Sequence, residues 1–425
     1  MTGIARIALA RPSLVVDAKE IAEAWGRSPR GVERLRLPAW DEDGTTLAID
    51  AGREALGRES GAALRTLVLA GPVEGAVVAE ALGARHARLV APSGPLAGLD
   101  ALTAGLAAAP PALVVAAAIP ESPVGSDARL EEGAGAVGLL ATEEGALREV
   151  ASVHVARASP PGELDAGAIL AEALERFAAP PEPPVFAAGV AAGPRPVRPA
   201  AEVRKEWGEL SGGVGALAQL AESARAGLAP GAWCLVGGAD RERASLLALQ
   251  AAGHVEVVPP AERARRVGPL RALEESRALA SSEPDAPMGA YVPAGTWVED
   301  LPARLRLVAQ RCARCGRVQY PPRGACLDCR AREFQEVELA RTAQVHAATR
   351  IGRGGAPSEF ASEQTHTGAY WVGVVEWPEQ KVRVTARLAG YDEHGPALGD
   401  SVRAVVRRLF EQEGAARYGV KFEAS

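Results

Sequence analysis

Lysine is scarce in this chain: Lys19, Lys205, Lys381 and Lys421 are the only four, and arginine supplies nearly all of the 47 basic residues. That bias reflects gene composition rather than a task. Cysteine is scarce too, with five residues, four of them between Cys312 and Cys329. A disulfide framework is thereby excluded, and a reducing cytoplasm is the expected setting. Aromatic residues make up 4% of the chain, a thin supply for a protein that stacks on bases. No apolar run reaches the length of a membrane span. The opening MTGIARIALARPSLVV has no basic region followed by a long apolar core, so no secretory signal is expected. Gly133–Gly138 is followed by no Lys-Ser/Thr, which excludes a phosphate loop and leaves close packing of layers as the use of these small residues.

What is there describes a globular protein of two or three domains: 48% apolar and 24% charged residues in a chain of 425. The net charge of −6 is uneven. Val298–Ser425 carries 19 Lys and Arg against 16 Asp and Glu, a balance of +3, which leaves −9 for the rest. The basic balance suits a phosphorylated cofactor or an acidic partner and is too mild for a nucleic-acid footprint.

Strand-like and helix-like segments alternate from the N-terminus. Ile4–Leu9, Thr66–Ala70, Ala87–Ala91, Ala112–Ala118, Gly135–Ala141 and Glu149–Val155 read as strands. Asp17–Trp25, Thr45–Leu56, Ala76–Leu82 and Leu96–Ala108 read as helices, with Asp17 and Asp43 or Thr45 as caps. The alternation predicts a layered α/β domain. After a linker near Ala158–Gly162 and a helix over Asp165–Phe177, the pattern repeats. Strands are expected at Val185–Ala188, Trp233–Val236 and His254–Val258, with a helix over Leu210–Leu228. Two similar patterns in succession predict duplicated halves. Arg263–Ser276 reads as a helix and Ser281–Gly289 as linker. Beyond Cys329, strands over Glu336–Arg350, Tyr370–Trp377, Val382–Leu388 and Ser401–Arg408 predict a small barrel.

Cys312-x-x-Cys315 and Cys326-x-x-Cys329 stand ten residues apart. Four thiolates at this spacing close a tetrahedron around one Zn²⁺ and leave no open position for a water, so the metal is structural. Rubredoxin-like knuckles also accept iron in a reducing host.

The run Gln310-Arg311-Cys312-x-x-Cys315-Gly316-x-x-Gln319-Tyr320-Pro321-Pro322-Arg323, then Cys326-x-x-Cys329 and the strands ending near Gly399-Asp400, resembles the acyl-CoA-associated OB-fold family with a rubredoxin-like zinc ribbon. In that family the module is an accessory subunit that docks on thiolases, HMG-CoA synthases or enoyl-CoA hydratases and shapes an acyl-CoA channel. The first 260 or so residues resemble the thiolase-like superfamily, nearest HMG-CoA synthases and ketoacyl synthase III enzymes. The carriers there are Gly133-Ala-Gly-Ala-Val-Gly-Leu-Leu140, then Gly212–Leu220 and Pro230-Gly-Ala-Trp-Cys-Leu-Val-Gly-Gly238. Together these imply a layered α/β thiolase-like fold of two related halves, followed by a rubredoxin-like zinc ribbon and a small β-barrel of the OB-fold type. The expected boundaries are 1–265, a linker over 266–297, the ribbon at 298–335 and the OB-fold at 336–425.

The thiolase resemblance implies a nucleophilic cysteine at the N-terminus of a buried helix, where the dipole lowers its pKa. The corresponding stretch, Leu89–Leu99, has Pro92 in its place with Ser93 beside it, and the second-half histidine is missing from Pro184–Gly189. Glu74 lies near the acid of HMG-CoA synthases. The expectation is a catalytically degenerate copy of the fold, with no catalytic residue assigned. Cys234, between Trp233 and Leu235 in an apolar strand, reads as a small buried hydrophobe. His254 is the histidine nearest to it in sequence. His346, His366 and His394 stand near the barrel without metal spacing.

What the resemblance implies about function is a non-catalytic accessory subunit of an acyl-CoA thiolase or acyltransferase complex. It would be cytoplasmic, in a hetero-oligomer with a thiolase-type subunit, with structural Zn²⁺ and a coenzyme A thioester as bound substrate, and with no nucleic acid or membrane as partner. Expected contacts to the CoA are Arg350, Arg353 and Phe360 in the long 351–367 loop region, and Arg407 and Arg408 on the last expected strand. Two alternatives remain at this point: an HMG-CoA-synthase-like acyltransferase using Ser93, Glu74 or Cys234, and a single-strand nucleic-acid binder.

Overall fold

The computed structural model describes residues 2–124, 126–156, the backbone of 185–188, 205–240, 243–262, 264–279, 292–352, 355, 360–361, 364, 367–412 and 414–425. They form two compact units, Met1–Ala278 and Leu279–Ser425. The expected helix over Asp165–Phe177, its flanking linker and the linker over Ser281–Gly289 lie outside the described residues.

The first unit begins with β1 (Gly3–Ala10), β2 (Leu14–Asp17), α1 (Ala18–Trp25), β3 (Arg34–Leu37) and α2 (Gly44–Leu56). Then come β4 (Thr66–Ala70), α3 (Gly75–Ala81), β5 (Arg88–Val90), α4 (Ala97–Ala107), β6 (Ala112–Ala118) and β7 (Gly135–Thr142). It continues through β8 (Leu147–Ala156), β9 (Val185–Ala188), α5 (Val214–Arg225), β10 (Trp233–Ala239), β11 (Arg243–Ala251) and β12 (Glu256–Val258). β13 (Arg265–Arg266) and α6 (Pro269–Glu275) complete it.

Nine of these strands lie side by side in the order β5-β4-β6-β7-β1-β8-β11-β10-β9, and β12 pairs with β1. The order contains a repeat. β4 runs parallel to β6, and β6, β7 and β1 are successively antiparallel. β9 runs parallel to β10, and β10, β11 and β8 are successively antiparallel. The two halves meet where Gly3 and Ile4 pair with Arg148 and Leu147, antiparallel. Duplication, expected from the succession of segments, is thus visible as two copies of one strand order.

Every residue of β6 is buried, as expected of a strand covered on both faces. α2 covers one face and is started by a capping box: Thr46 N–H donates to Asp43 Oδ1 and Asp43 N–H to Thr46 Oγ1, both at 2.9 Å. Its close approach needs the small residues of β7, since a Cβ on Gly138 would lie 2.5 Å from the Ala51 carbonyl oxygen. α4 and α5 share the core on the other face with Ile7, Leu9, Val114 and Val137. β2, β3 and β13 form a separate small sheet. α6 is fastened beside it by Glu275, which is fully buried and paired with Arg265 and Arg271.

Two differences from the sequence reading are physical. β11 (RASLLALQA) is built of Ala and Leu, which favour helix locally, and its pairing with β8 and β10 overrides that preference. The helix expected over Arg263–Ser276 is a two-residue strand, β13, and the shorter α6. Both elements fall within the first compact unit, Met1–Ala278.

The second unit opens with α7 (Ala294–Glu299) and α8 (Leu301–Arg306). A three-stranded sheet follows, from β14 (Val308–Cys312), β15 (Val318–Gln319) and β16 (Phe334–Glu338), in the order β15-β14-β16. β17 (Thr342–Ile351), β18 (Tyr370–Trp377), β19 (Val382–Leu388), β20 (Ser401–Gln412) and β21 (Ala415–Ala424) close a barrel in the order β17-β18-β19-β21-β20. The closing pair, β19 and β21, is parallel. The strand expected over Glu336–Arg350 divides into β16 and β17, and β21 is a fifth strand the sequence reading did not place. Leu307, Ala309, Val318 and Leu339 share one core with Val345, Val375, Trp377 and Phe422 of the barrel.

Candidate metal centre

Two turns carry the four cysteines, and they are built alike. In the first, Gly316 N–H donates to the Cys312 carbonyl at 2.9 Å and Cys312 N–H to that of Arg317 at 2.8 Å. In the second, Arg330 N–H donates to Cys326 at 3.1 Å and Cys326 N–H to Ala331 at 2.8 Å. Both turns require a left-handed residue after the second cysteine: Gly316 at φ 75° and Arg330 at φ 62°. This folding points all four sulfurs inward, within 4.8 Å of one another. Cys312 Sγ lies 3.5 Å from Cys329 Sγ, and Cys315 Sγ lies 3.6 Å from Cys326 Sγ. Zn–S bonds of about 2.3 Å at tetrahedral angles place sulfurs about 3.8 Å apart, so the set fits the ion.

Backbone hydrogen bonds favour thiolate at two of the four sulfurs, while the neighbouring sulfurs push Cys315 the other way, up to about 12. Backbone N–H groups of Cys315 and Arg314 aim at the Cys312 sulfur and lower its pKa. Those of Cys329 and Asp328 bring Cys326 down to about 6. Cys312 and Cys326 are buried, while Cys315 is exposed. Two glutamines brace the second turn. Gln310 donates to the Arg323 carbonyl at 2.7 Å, and Gln319 accepts from Leu327 N–H at 3.1 Å and donates to the Ala325 carbonyl at 3.2 Å. Both stand in the quoted motif, but spacing alone does not reveal what they hold. A closed set of four sulfurs offers structural anchoring and no Lewis-acid position.

The helix that follows the expected nucleophile position starts a few residues beyond it. α4 begins at Ala97 with Leu96 at its cap, four residues after Pro92. The residue at the helix start is therefore Leu96, apolar and 1% exposed. Ser93 is exposed in the loop before it, and Glu74 is exposed at the start of α3. Cys234 is buried, and burial pushes its thiol up to about 12, which makes it inert. His254 is exposed. A serine–histidine pair does exist, Ser245 Oγ and His154 Nδ1 at 2.5 Å on paired strands, with Ser245 3% exposed within the sheet.

The residues expected to meet CoA are not alike in their placement. Arg350 is exposed near the end of β17, and Arg353 lies outside the described residues. Phe360 is half-buried, with its ring edge-on to Phe410 at 6.2 Å and Arg387 over its face at 5.1 Å. Arg408 is half-buried with Glu411 at 3.8 Å. Arg407 is 3% exposed and faces Glu423 at 3.5 Å, so its guanidinium is committed inside the protein. His346 and His394 pair with Glu376 and Asp392 on the surface, and His366 lies outside the described residues.

Among known proteins, residues 300–335 match the ChsH2 rubredoxin-like zinc ribbon domain. The chain is 30% identical over 131 residues to a DUF35 domain-containing scaffold protein of Methanothermobacter thermautotrophicus, covering 30% of this chain and 92% of the relative. It is 30% identical over 123 residues to a protein of the same description from Methanocaldococcus jannaschii, covering 28% and 82%. In structure it resembles an HMG-CoA synthase crystallised with CoA, at TM-score 0.52 and 16% identity, over 69% of this chain and 94% of that one. The smu.943c protein of Streptococcus mutans gives TM-score 0.51 at 15% identity, over 69% and 95%. These likenesses show the fold: a thiolase-like unit fused to a zinc ribbon and an OB-fold-like barrel. With 92% of the Methanothermobacter relative's length accounted for, the chain belongs to the DUF35 domain-containing scaffold proteins.

Proposed function

We propose that this chain is a non-catalytic accessory subunit of a thiolase-type acyltransferase complex. It docks on a thiolase-type partner and helps form that partner's acyl-CoA channel. The observation that carries the reading is Pro92. The fold resembles an HMG-CoA synthase, the resemblance puts Pro92 where that chemistry needs a nucleophile, and a buried leucine caps the helix that follows. A chain that keeps the scaffold, lacks the attacking group and is related to scaffold proteins fits a supporting role.

In such a complex the partner supplies the nucleophile. The barrel contributes positioning and exclusion of water around the thioester. Arg350, Arg353, Phe360 and Arg408 are the proposed contacts to the coenzyme. Zinc holds the ribbon's shape, and the four thiolates suit a reducing cytoplasm. The test is co-expression with a thiolase-type subunit of the same host. The two should copurify as a hetero-oligomer, and turnover of an acyl-CoA should need both. Robust turnover by the isolated chain would overturn the reading in favour of an acyltransferase with an atypical site.

A further inference from the structure

The knuckle end of the ribbon carries a charge that the metal does not account for. Between Arg311 and Glu333 there are six arginines and two acids, in a chain whose net charge is −6. Arg317 pairs with Asp328. The other five, Arg311, Arg314, Arg323, Arg330 and Arg332, are exposed and have no ion-pair partner among the described residues. Four thiolates around a divalent ion leave two negative charges, and Glu333 adds one. Five free guanidinium groups exceed that.

The backbone beneath several of them is fixed. The Arg323 carbonyl is held by Gln310 at 2.7 Å, and Arg314 sits within the first knuckle. Arg330 occupies the left-handed position at φ 62° where the first knuckle has Gly316 at φ 75°. An arginine is kept at a place whose backbone favours glycine, and strain of this kind marks functional positions more than structural ones. Leu327, 44% exposed, stands in the same knuckle as an apolar point among the cations.

We propose that this knuckle end is a docking surface for an acidic face of a partner protein. The inference rests on the reading above that the chain works within a hetero-complex, and it says which surface makes the contact. Guanidinium forks match carboxylates in bidentate geometry, and an exposed leucine gives such a contact an apolar anchor. Nucleic acid fits less well. The nearby aromatics are Tyr320, half-buried with its hydroxyl donating to the Ala303 carbonyl at 2.9 Å, and Phe334, also half-buried, so no open ring offers a stacking platform.

The experiment compares recovery of the thiolase-type subunit of the same host by the tagged wild-type chain and by a variant carrying Arg311→Glu, Arg314→Glu, Arg323→Glu and Arg330→Glu. A second variant replaces the same four with Ala. Metal content and thermal unfolding report whether each is folded. Recovery should fall at least about tenfold in the Glu variant and less in the Ala variant. Raising salt from about 0.1 M to about 1 M should weaken the wild-type complex in the same direction. If folded variants recover as much subunit as the wild type, this surface is not the docking face and the complex stands. If the wild type recovers none, the reading of the function falls and takes this one with it. A short oligothymidylate that binds the wild type but not the Glu variant, with subunit recovery unchanged, would overturn the proposal in favour of nucleic acid.

Discussion

The backbone N–H of Gly98 donates to the carbonyl of Gly212 at 2.7 Å. The bond joins the first turn of α4 to the turn that starts α5, one helix from each half of the duplicated unit. It leaves no room for a side chain, because a Cβ on Gly98 would meet the Gly212 oxygen at 2.8 Å. Nearby, Arg243 at the start of β11 holds Asp100 of α4 with two bonds, at 2.7 and 3.2 Å. The start of α4 is therefore closed by backbone and by an ion pair.

Gly98→Ala should lower the stability of the first unit by about 1–3 kcal/mol, since the added methyl forces two helix starts apart. Gly295→Ala is the contrast. Nothing lies within 4 Å of that position in α7, and alanine should stabilise the helix by up to about 1 kcal/mol. Urea unfolding of each variant measures both.

Removing the metal should undo the ribbon selectively. One metal ion per chain, about one zinc by elemental analysis, is the expected content. Chelation or Cys312→Ser should abolish it and melt β14–β16 while the first unit keeps its structure. Near-ultraviolet dichroism and limited proteolysis before and after chelation would read this out. A ribbon equally protected without metal would contradict the structural role.

Cys234 gives a pH prediction. Burial raises its thiol from 9.0 to about 12. A raised folded-state value means the unfolded chain gives up the proton first. Stability is therefore intact below pH 9 and declines as pH rises from there toward 12. Cys234→Ala should flatten that alkaline limb. In native metal-loaded protein at neutral pH, a thiol reagent should find Cys234 unreactive until denaturant is added.

Glu423, 7% exposed, faces Arg407 and Arg403 at 3.5 and 3.2 Å. Glu423→Gln removes a carboxylate that faces both guanidinium groups and should destabilise the barrel by about 1–3 kcal/mol. Arg407→Ala should likewise appear in thermal unfolding. Arg350→Ala, at an exposed position, should leave stability within about 0.5 kcal/mol of wild type. Any change it makes in CoA affinity then reports on contact alone.

Much of this was legible in the sequence because local chemistry carried it. Asp43, one of the two residues read as the cap of α2, does start that helix, and ALVVAAA is a strand as expected. Two Cys-x-x-Cys pairs announce a metal cage, since four ligands and two turns are all contained within eighteen residues, Cys312 to Cys329. β11 was hidden, because alanine and leucine carry no strand signal and its partners are distant in the chain. β21 was missed for a related reason: its buried polar residues Lys421 and Glu423 mask the alternation that marks a half-buried strand.

Arg407 and Leu96 show where sequence reasoning stops. An arginine on a strand carries the same letter whether it faces solvent or, like Arg407, lies buried against Glu423 on the adjacent strand. The residue at the cap of α4 depends on where the helix begins, and that is fixed by packing against the Gly212 turn. The sequence by itself determined composition, the cage of four cysteines and the alternation of elements, all matters of short-range pattern. Tertiary structure alone decided which charges are buried, which strands pair and what stands at the head of α4, because those depend on contacts between residues far apart in the chain.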